Sequence, residues 1–239
     1  MNNYNNQDYY NPQSFGVHEL EAKVSSVMKR VYVKMFLGLL VTAFVALFCA
    51  QTPGVITFFA NNNWAIWALL IVELGIVIGV SGAINKLSSP VATLLFYLFA
   101  VVNGLMLFPI LMVYTGESVA KTFFITAGVF GAMSVYGYFT SQDLTKWGSF
   151  LFMALIGLII CSVVNIFLHS DTMGWIISAA GVLIFIGLTA WDTQQIKAMA
   201  QQAPMESVGK LATLGALSLY LDFINLFLYL LRFFGSSRD

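Results

Sequence analysis

An all-α integral membrane protein, built as a seven-transmembrane-helix bundle, is predicted on three observations. Apolar residues fill 59% of the 239 positions and charged residues only 9%, against about 25% charged in an ordinary soluble domain. The apolar residues gather into seven stretches, each near the roughly 20 residues that cross a hydrocarbon core of about 30 Å. These stretches are continuous rather than alternating, which excludes a β-barrel. So few charges cannot cover a soluble globule, and 11 basic against 11 acidic residues give no bias toward polyanions. A cytosolic enzyme and a nucleic-acid partner are excluded; the first partner is the lipid bilayer.

Residues 1–26 are rich in Asn, Tyr and Gln and lack an apolar core. They are expected to form a disordered polar cytoplasmic tail, turning helical near Val17, and not a signal peptide. Residues 27–239 form the membrane domain. Its first span covers residues 31–50 and stops at Gln51-Thr52-Pro53-Gly54. The second, 64–84, follows the polar loop Asn61-Asn62-Asn63. The third, 91–114, begins after Ser88-Ser89-Pro90, where proline suits a helix start. The fourth and fifth cover 119–140 and 147–168. The sixth runs from 174 to 190 or beyond, because Thr193 to Ala203 contains neither Gly nor Pro to end it. The seventh covers 211–234. Short gaps suggest that sequence neighbours pack antiparallel, with Gly75/Gly79 and Gly128/Gly131 placed for close helix contact.

Lys and Arg set the expected orientation. Lys23, Lys29, Arg30, Lys34, Lys86, Lys146, Lys197 and Lys210 share the N-terminal side; Lys121, Arg232 and Arg238 lie opposite. The N-terminus is then cytoplasmic and the C-terminus outside, although a re-entrant last segment would place Arg232 and Arg238 inside. Cys49 and Cys161 each stand alone in apolar runs, so neither a disulfide nor a metal cluster is expected.

Glu73, Asp192 and Asp222 carry charge inside the spans. An intramembrane carboxylate costs about 2.5–3.5 kcal/mol even on the mild insertion scale, so each marks a functional-site hypothesis. Ser218, Asp222, Asn225 and Tyr229 follow spacings that put them on one face of the seventh helix. That polar seam places the helix inside the bundle, lining a cavity or joining helices. If the sixth helix continues past Asp192, Asp192 and Asp222 meet and share a proton; ionised together, they offer hard oxygens to a cation. Glu73, with no intramembrane base beside it, is expected further along the same path.

No enzyme is expected and no catalytic residue is assigned. Gly79-Val80-Ser81-Gly82 matches the Gly-x-Ser-Gly string of rhomboid proteases. The histidines, His18 in the tail and His169 across the membrane from Ser81, leave that serine without a base. Neither aspartate carries the Gly-x-Gly-Asp motif of intramembrane aspartyl proteases.

Gly187-Leu188-Thr189-Ala190-Trp191-Asp192-Thr193-Gln194-Gln195-Ile196-Lys197 resembles the hallmark segment of the Bax inhibitor-1 family, especially its bacterial YccA-like branch. Leu219-Tyr220-Leu221-Asp222-Phe223-Ile224-Asn225-Leu226-Phe227 is similar to that family's last helix. Val72-Glu73-Leu74-Gly75, Val102-Asn103-Gly104-Leu105 and Asp143-Leu144-Thr145-Lys146-Trp147-Gly148-Ser149-Phe150-Leu151 extend the likeness across about residues 31–235. The resemblance implies a central last helix ringed by two three-helix sets, a di-aspartate pH sensor falling on Asp192 and Asp222, and a calcium leak across the inner membrane. It implies no cofactor beyond transient calcium, held by the two aspartates. Where the family often carries a second-helix arginine, this chain has Ala83, and the closest base is Lys86. Lys86, Asn103, Ser218, Asn225 and Tyr229 are the supporting polar residues. The expected function is a pH-sensitive cation leak. The alternative is a non-conducting regulator, since some bacterial members interact with a membrane-embedded ATP-dependent protease.

Overall fold

The computed structural model describes residues 12–84 and 86–238. Eight α-helices follow in order: α1 (Pro12–Ala50), α2 (Pro53–Asn61), α3 (Trp64–Ala83), α4 (Ser89–Val113), α5 (Gly116–Phe139), α6 (Thr145–Leu168), α7 (Asp171–Gln202) and α8 (Val208–Phe234). Seven of these, all but α2, are long and apolar enough to span a membrane. Among the described residues there is no β-strand, only an isolated bridge between Tyr114 and Ser237. The all-α, seven-span reading holds. α8 is uninterrupted over 27 residues, about 40 Å at 1.5 Å per residue, long enough to cross a membrane.

Two boundaries differ from expectation and a third agrees with it. Helix α1 starts at Pro12 and therefore takes in residues 12–26 of the expected disordered tail; residues 1–11 of that tail lie outside the described residues. Composition hid a helical period. Val24, Val27, Val31 and Met35 recur every three or four residues and are buried along one stripe. At 39 residues the helix is about 58 Å long, well beyond a bilayer core. Second, the expected loop after residue 50 contains α2, opened by Pro53 and seated where Phe59 meets Phe108, ring centroids 5.2 Å apart. Third, α7 runs unbroken past Asp192 to Gln202, as the lack of Gly and Pro predicted.

Packing does not follow chain order throughout. α4 lies against both α1 and α3, and α7 lies against both α5 and α6. In each set of three spans the last helix is the middle one. α8 fills the space between the sets, packed on α1, α4, α5 and α7. Its side chains Leu217, Leu219, Tyr220, Leu226 and Leu231 are almost wholly buried.

The glycines predicted for close contact do not make it: Gly75, Gly79, Gly128 and Gly131 all face open space. A four-residue spacing identifies one helix face but not whether that face turns inward. Close approach occurs instead at Gly104, where a methyl group would stand 2.8 Å from the Thr42 carbonyl oxygen on α1, and at Gly137, where it would overlap the Ala190 backbone on α7.

Candidate functional site

Two polar groups meet α8 inside the bundle. Asp222 lies 14 residues into α8, about 21 Å along its axis, and is only 4% exposed. Its carboxyl is in hydrogen-bond contact with that of Asp192 on α7, which is partly accessible. The Ser218 hydroxyl, one turn before Asp222, lies beside Asp192. The structure therefore brings the two aspartates and Ser218 together. Among the described residues no donor reaches Asp222 Oδ2.

The rest of the polar seam is engaged away from the aspartates. Asn225 donates to the Leu221 carbonyl of its own helix at 2.8 Å, and the Tyr229 hydroxyl meets Ser162 on α6. Asp222 and Tyr229 both face α7, the latter with its ring against Gly181 and Phe185. On α5, by contrast, Ser118, Thr122, Thr126 and Ser134 form a buried hydroxyl stripe. Thr122 Oγ1 and Ser134 Oγ have no hydrogen-bond partner among the described residues. The rings of Phe123 and Phe130 on α5 flank Phe223 of α8 at 5.4 Å each, which sets this stripe at the depth of Asp222.

Glu73 is not part of the aspartate pair. Asn103 Nδ2 on α4 lies 2.9 Å from Glu73 Oε1. The amide oxygen of Asn103 lies 3.1 Å from the Tyr220 hydroxyl. That hydroxyl lies 2.6 Å from Thr42 Oγ1 on α1, and Thr42 reaches the Ala100 carbonyl at 2.8 Å. Tyr220 and Asp222 are two residues apart and so about 200° around the helix. One face of α8 addresses α1 and α4, and through Asn103 the α3 glutamate; the other addresses α7.

Lys86 is exposed between α3 and α4 and makes no ion pair among the described residues. It does not replace the family's arginine as a partner for the aspartates. The lysine that does enter the bundle is Lys34, whose ammonium donates to Thr93 Oγ1 at 2.7 Å and Thr213 Oγ1 at 2.6 Å, joining α1, α4 and α8. Lys34, Thr42 and Tyr220 were not singled out from sequence. Charge near a span end looks interfacial, and single hydroxyls in apolar helices have no distinctive spacing. Among the described residues no group of three or more His, Cys, Asp and Glu side chains converges, so any cation at the aspartates would take most of its ligands from elsewhere.

The family model described as "Inhibitor of apoptosis-promoting Bax1" matches residues 24–239. The chain belongs to the Bax inhibitor-1 family. Relatives of similar length support the assignment. The inner membrane protein YbhL of Escherichia coli is 46% identical, with 95% of this chain and 98% of the relative covered. A protein of Borreliella burgdorferi is 45% identical over 89% and 92% of the two chains. A membrane protein of Streptococcus pyogenes is 36% identical over 98% and 99%. The match includes both aspartate-bearing helices, α7 and the central α8, so the Bax inhibitor-1 resemblance read from the motifs extends over the whole bundle.

Proposed function

We propose that this Bax inhibitor-1 family member is a pH-sensitive cation leak of the inner membrane, with calcium as a candidate cargo and the Asp192–Asp222 pair as its proton-operated element. The observation that carries this reading is the contact between two carboxyls on adjacent helices, one of them dry and with an oxygen that no donor reaches. With one proton between them the contact is a hydrogen bond joining α7 to α8. With none, two negative charges face each other in an apolar interior, where repulsion is far stronger than in water. Proton occupancy thus decides whether the two helices hold together, and the unprotonated pair offers hard oxygens to a cation. The unpartnered hydroxyls of Thr122 and Ser134 support a hydrated route along α5, since buried polar oxygens without protein donors are where ordered water resides. The inner-membrane placement named for the Escherichia coli relative agrees with this setting.

The test is calcium flux from liposomes as a function of pH. Wild type is expected to show a pH-dependent flux and Asp222→Asn a pH-insensitive one, because an amide cannot exchange the proton. Equal flux and equal pH response in the two would reject the reading.

A second reading is favoured by α1. Its N-terminal turns carry the exposed residues His18, Glu19, Leu20 and Glu21, while Lys23 binds the Ala203 carbonyl at the α7–α8 connection. Such an arm suits a regulator that docks on a membrane protease complex. Loss of a co-purifying partner on deletion of residues 1–26, together with no ion flux from the full chain, would favour it.

A further inference from the structure

We infer that Glu73 is a second proton-binding site, separate from the aspartates, whose occupancy is transmitted to the central helix by reversing the hydrogen-bond chain Glu73–Asn103–Tyr220–Thr42. This goes beyond the leak and does not depend on it.

The inference rests on counting hydrogens. Four polar contacts run in series: Glu73 to Asn103 at 2.9 Å, Asn103 to Tyr220 at 3.1 Å, Tyr220 to Thr42 at 2.6 Å, and Thr42 to the Ala100 carbonyl at 2.8 Å. A contact of that length between two polar atoms needs one hydrogen. When Glu73 is ionised it contributes none. Asn103 then gives one to Glu73 and Tyr220 gives one to Asn103 Oδ1. Thr42, with a single hydroxyl hydrogen, serves either Tyr220 or Ala100. Three hydrogens cover four contacts, and one oxygen pair is left facing lone pair to lone pair.

A proton on Glu73 removes the deficit. With the Asn103 amide turned over by a half-rotation, Glu73 donates to Asn103 Oδ1, Asn103 Nδ2 to Tyr220, Tyr220 to Thr42, and Thr42 to Ala100. Every contact then carries one hydrogen, all directed inward from α3. The proton taken up stays on Glu73. Asn103, Tyr220 and Thr42 only re-aim hydrogens they already carry, and no other bond breaks. Asn103, Tyr220 and Thr42 are all buried, Tyr220 completely; Thr42 borders a largely apolar cavity, whereas neither Asn103 nor Tyr220 lines it.

The surroundings leave Glu73 as the group that titrates this chain. α3 packs on α4, which carries no charged residue and whose one tyrosine, Tyr97, packs on Phe96 at 5.2 Å between ring centroids. α3 itself has no other charge. From α8, the titratable group facing Glu73 is Tyr220. Lys34 of α1 is engaged by Thr93 and Thr213.

The experiment is pH-difference infrared spectroscopy of the full chain in lipid nanodiscs, in an Asp192→Asn/Asp222→Asn background, with ring-deuterated tyrosine. Silencing the aspartates keeps this result separate from the fate of the leak reading. Among the carboxylic-acid carbonyl bands that appear on acidification, one is expected to vanish in Glu73→Gln. A tyrosine band should shift at the same midpoint and be lost in Tyr220→Phe. Glu73→Gln is a folding-compatible control, because its amide donates into the chain as the protonated acid does. If the double-asparagine protein does not fold, the difference between wild type and Glu73→Gln carries the same two bands. A set of carboxyl bands unchanged by Glu73→Gln, or a tyrosine signal indifferent to it, would overturn the inference.

Discussion

Replacing Gly137 with alanine places a methyl group where the Ala190 carbonyl of α7 already stands. The obstacle is backbone in mid-helix, so a rotamer change cannot relieve it, and α5 and α7 must separate. Overpacking of this kind costs about 1–3 kcal/mol. At about 2–4 °C per kcal/mol for a chain of this size, the apparent unfolding midpoint should fall by roughly 2–12 °C. Gly128, nine residues earlier on the same helix, faces open space, and Gly128→Ala should stay within about 0.5 kcal/mol of wild type. Thermal unfolding of the three proteins in one nanodisc composition makes the comparison, with ellipticity or tryptophan emission as the probe. The displacement has a functional consequence as well, since Ala190 is two residues before Asp192 and α7 cannot move there without disturbing the aspartate contact. Midpoints for Gly137→Ala and Gly128→Ala that coincide would refute the assignment of close packing to the first and open space to the second.

Lys34→Met should destabilise by about 1–3 kcal/mol, since the ammonium supplies two charge-assisted hydrogen bonds to buried hydroxyls; a midpoint unchanged in denaturant titration would show that these contacts contribute nothing. Outside the spans, the Thr145 hydroxyl and then the Thr145 N–H hold the Asp143 carboxyl below its ordinary range. A group lowered in the folded state stabilises above its unfolded titration and loses that effect as pH falls through the lower folded value. Hydrogen-exchange protection of the Thr145 amide, corrected for intrinsic rate, should therefore fall on acidification in wild type and be low and flat in Asp143→Asn. Constant protection in wild type would contradict this.

The spans were legible because a bilayer demands long apolar runs, and Pro90 and the breaker-free stretch after Asp192 marked real features of α4 and α7. The extension of α1 was not legible by hydropathy, because residues 12–26 are largely polar and the buried apolar stripe begins only at Val24. Asp192, Asp222 and Glu73 announced themselves as charges in apolar surroundings. Their partition into two groups did not, since it depends on where each residue falls around α8, and sequence gives that angle only after the neighbours on each face are known. Thr42 and Tyr220 were invisible for a related reason. A hydroxyl becomes a relay only when another helix brings a partner within 3 Å, and nothing in one helix's spacing records that approach.

The central place of α8 also sets an order of assembly. Six spans emerge from the ribosome before the one that fills the space between them, and at 5–20 residues per second the remaining stretch after α7 takes roughly 2–7 s to complete. During that interval the two triplets have nothing to close upon. Asp192 waits without its partner, and Lys34 waits without Thr213. Nascent protein interrupted in the α7–α8 connection should therefore be an open, protease-sensitive intermediate, and quality-control machinery that inspects the membrane has its clearest signal at that moment.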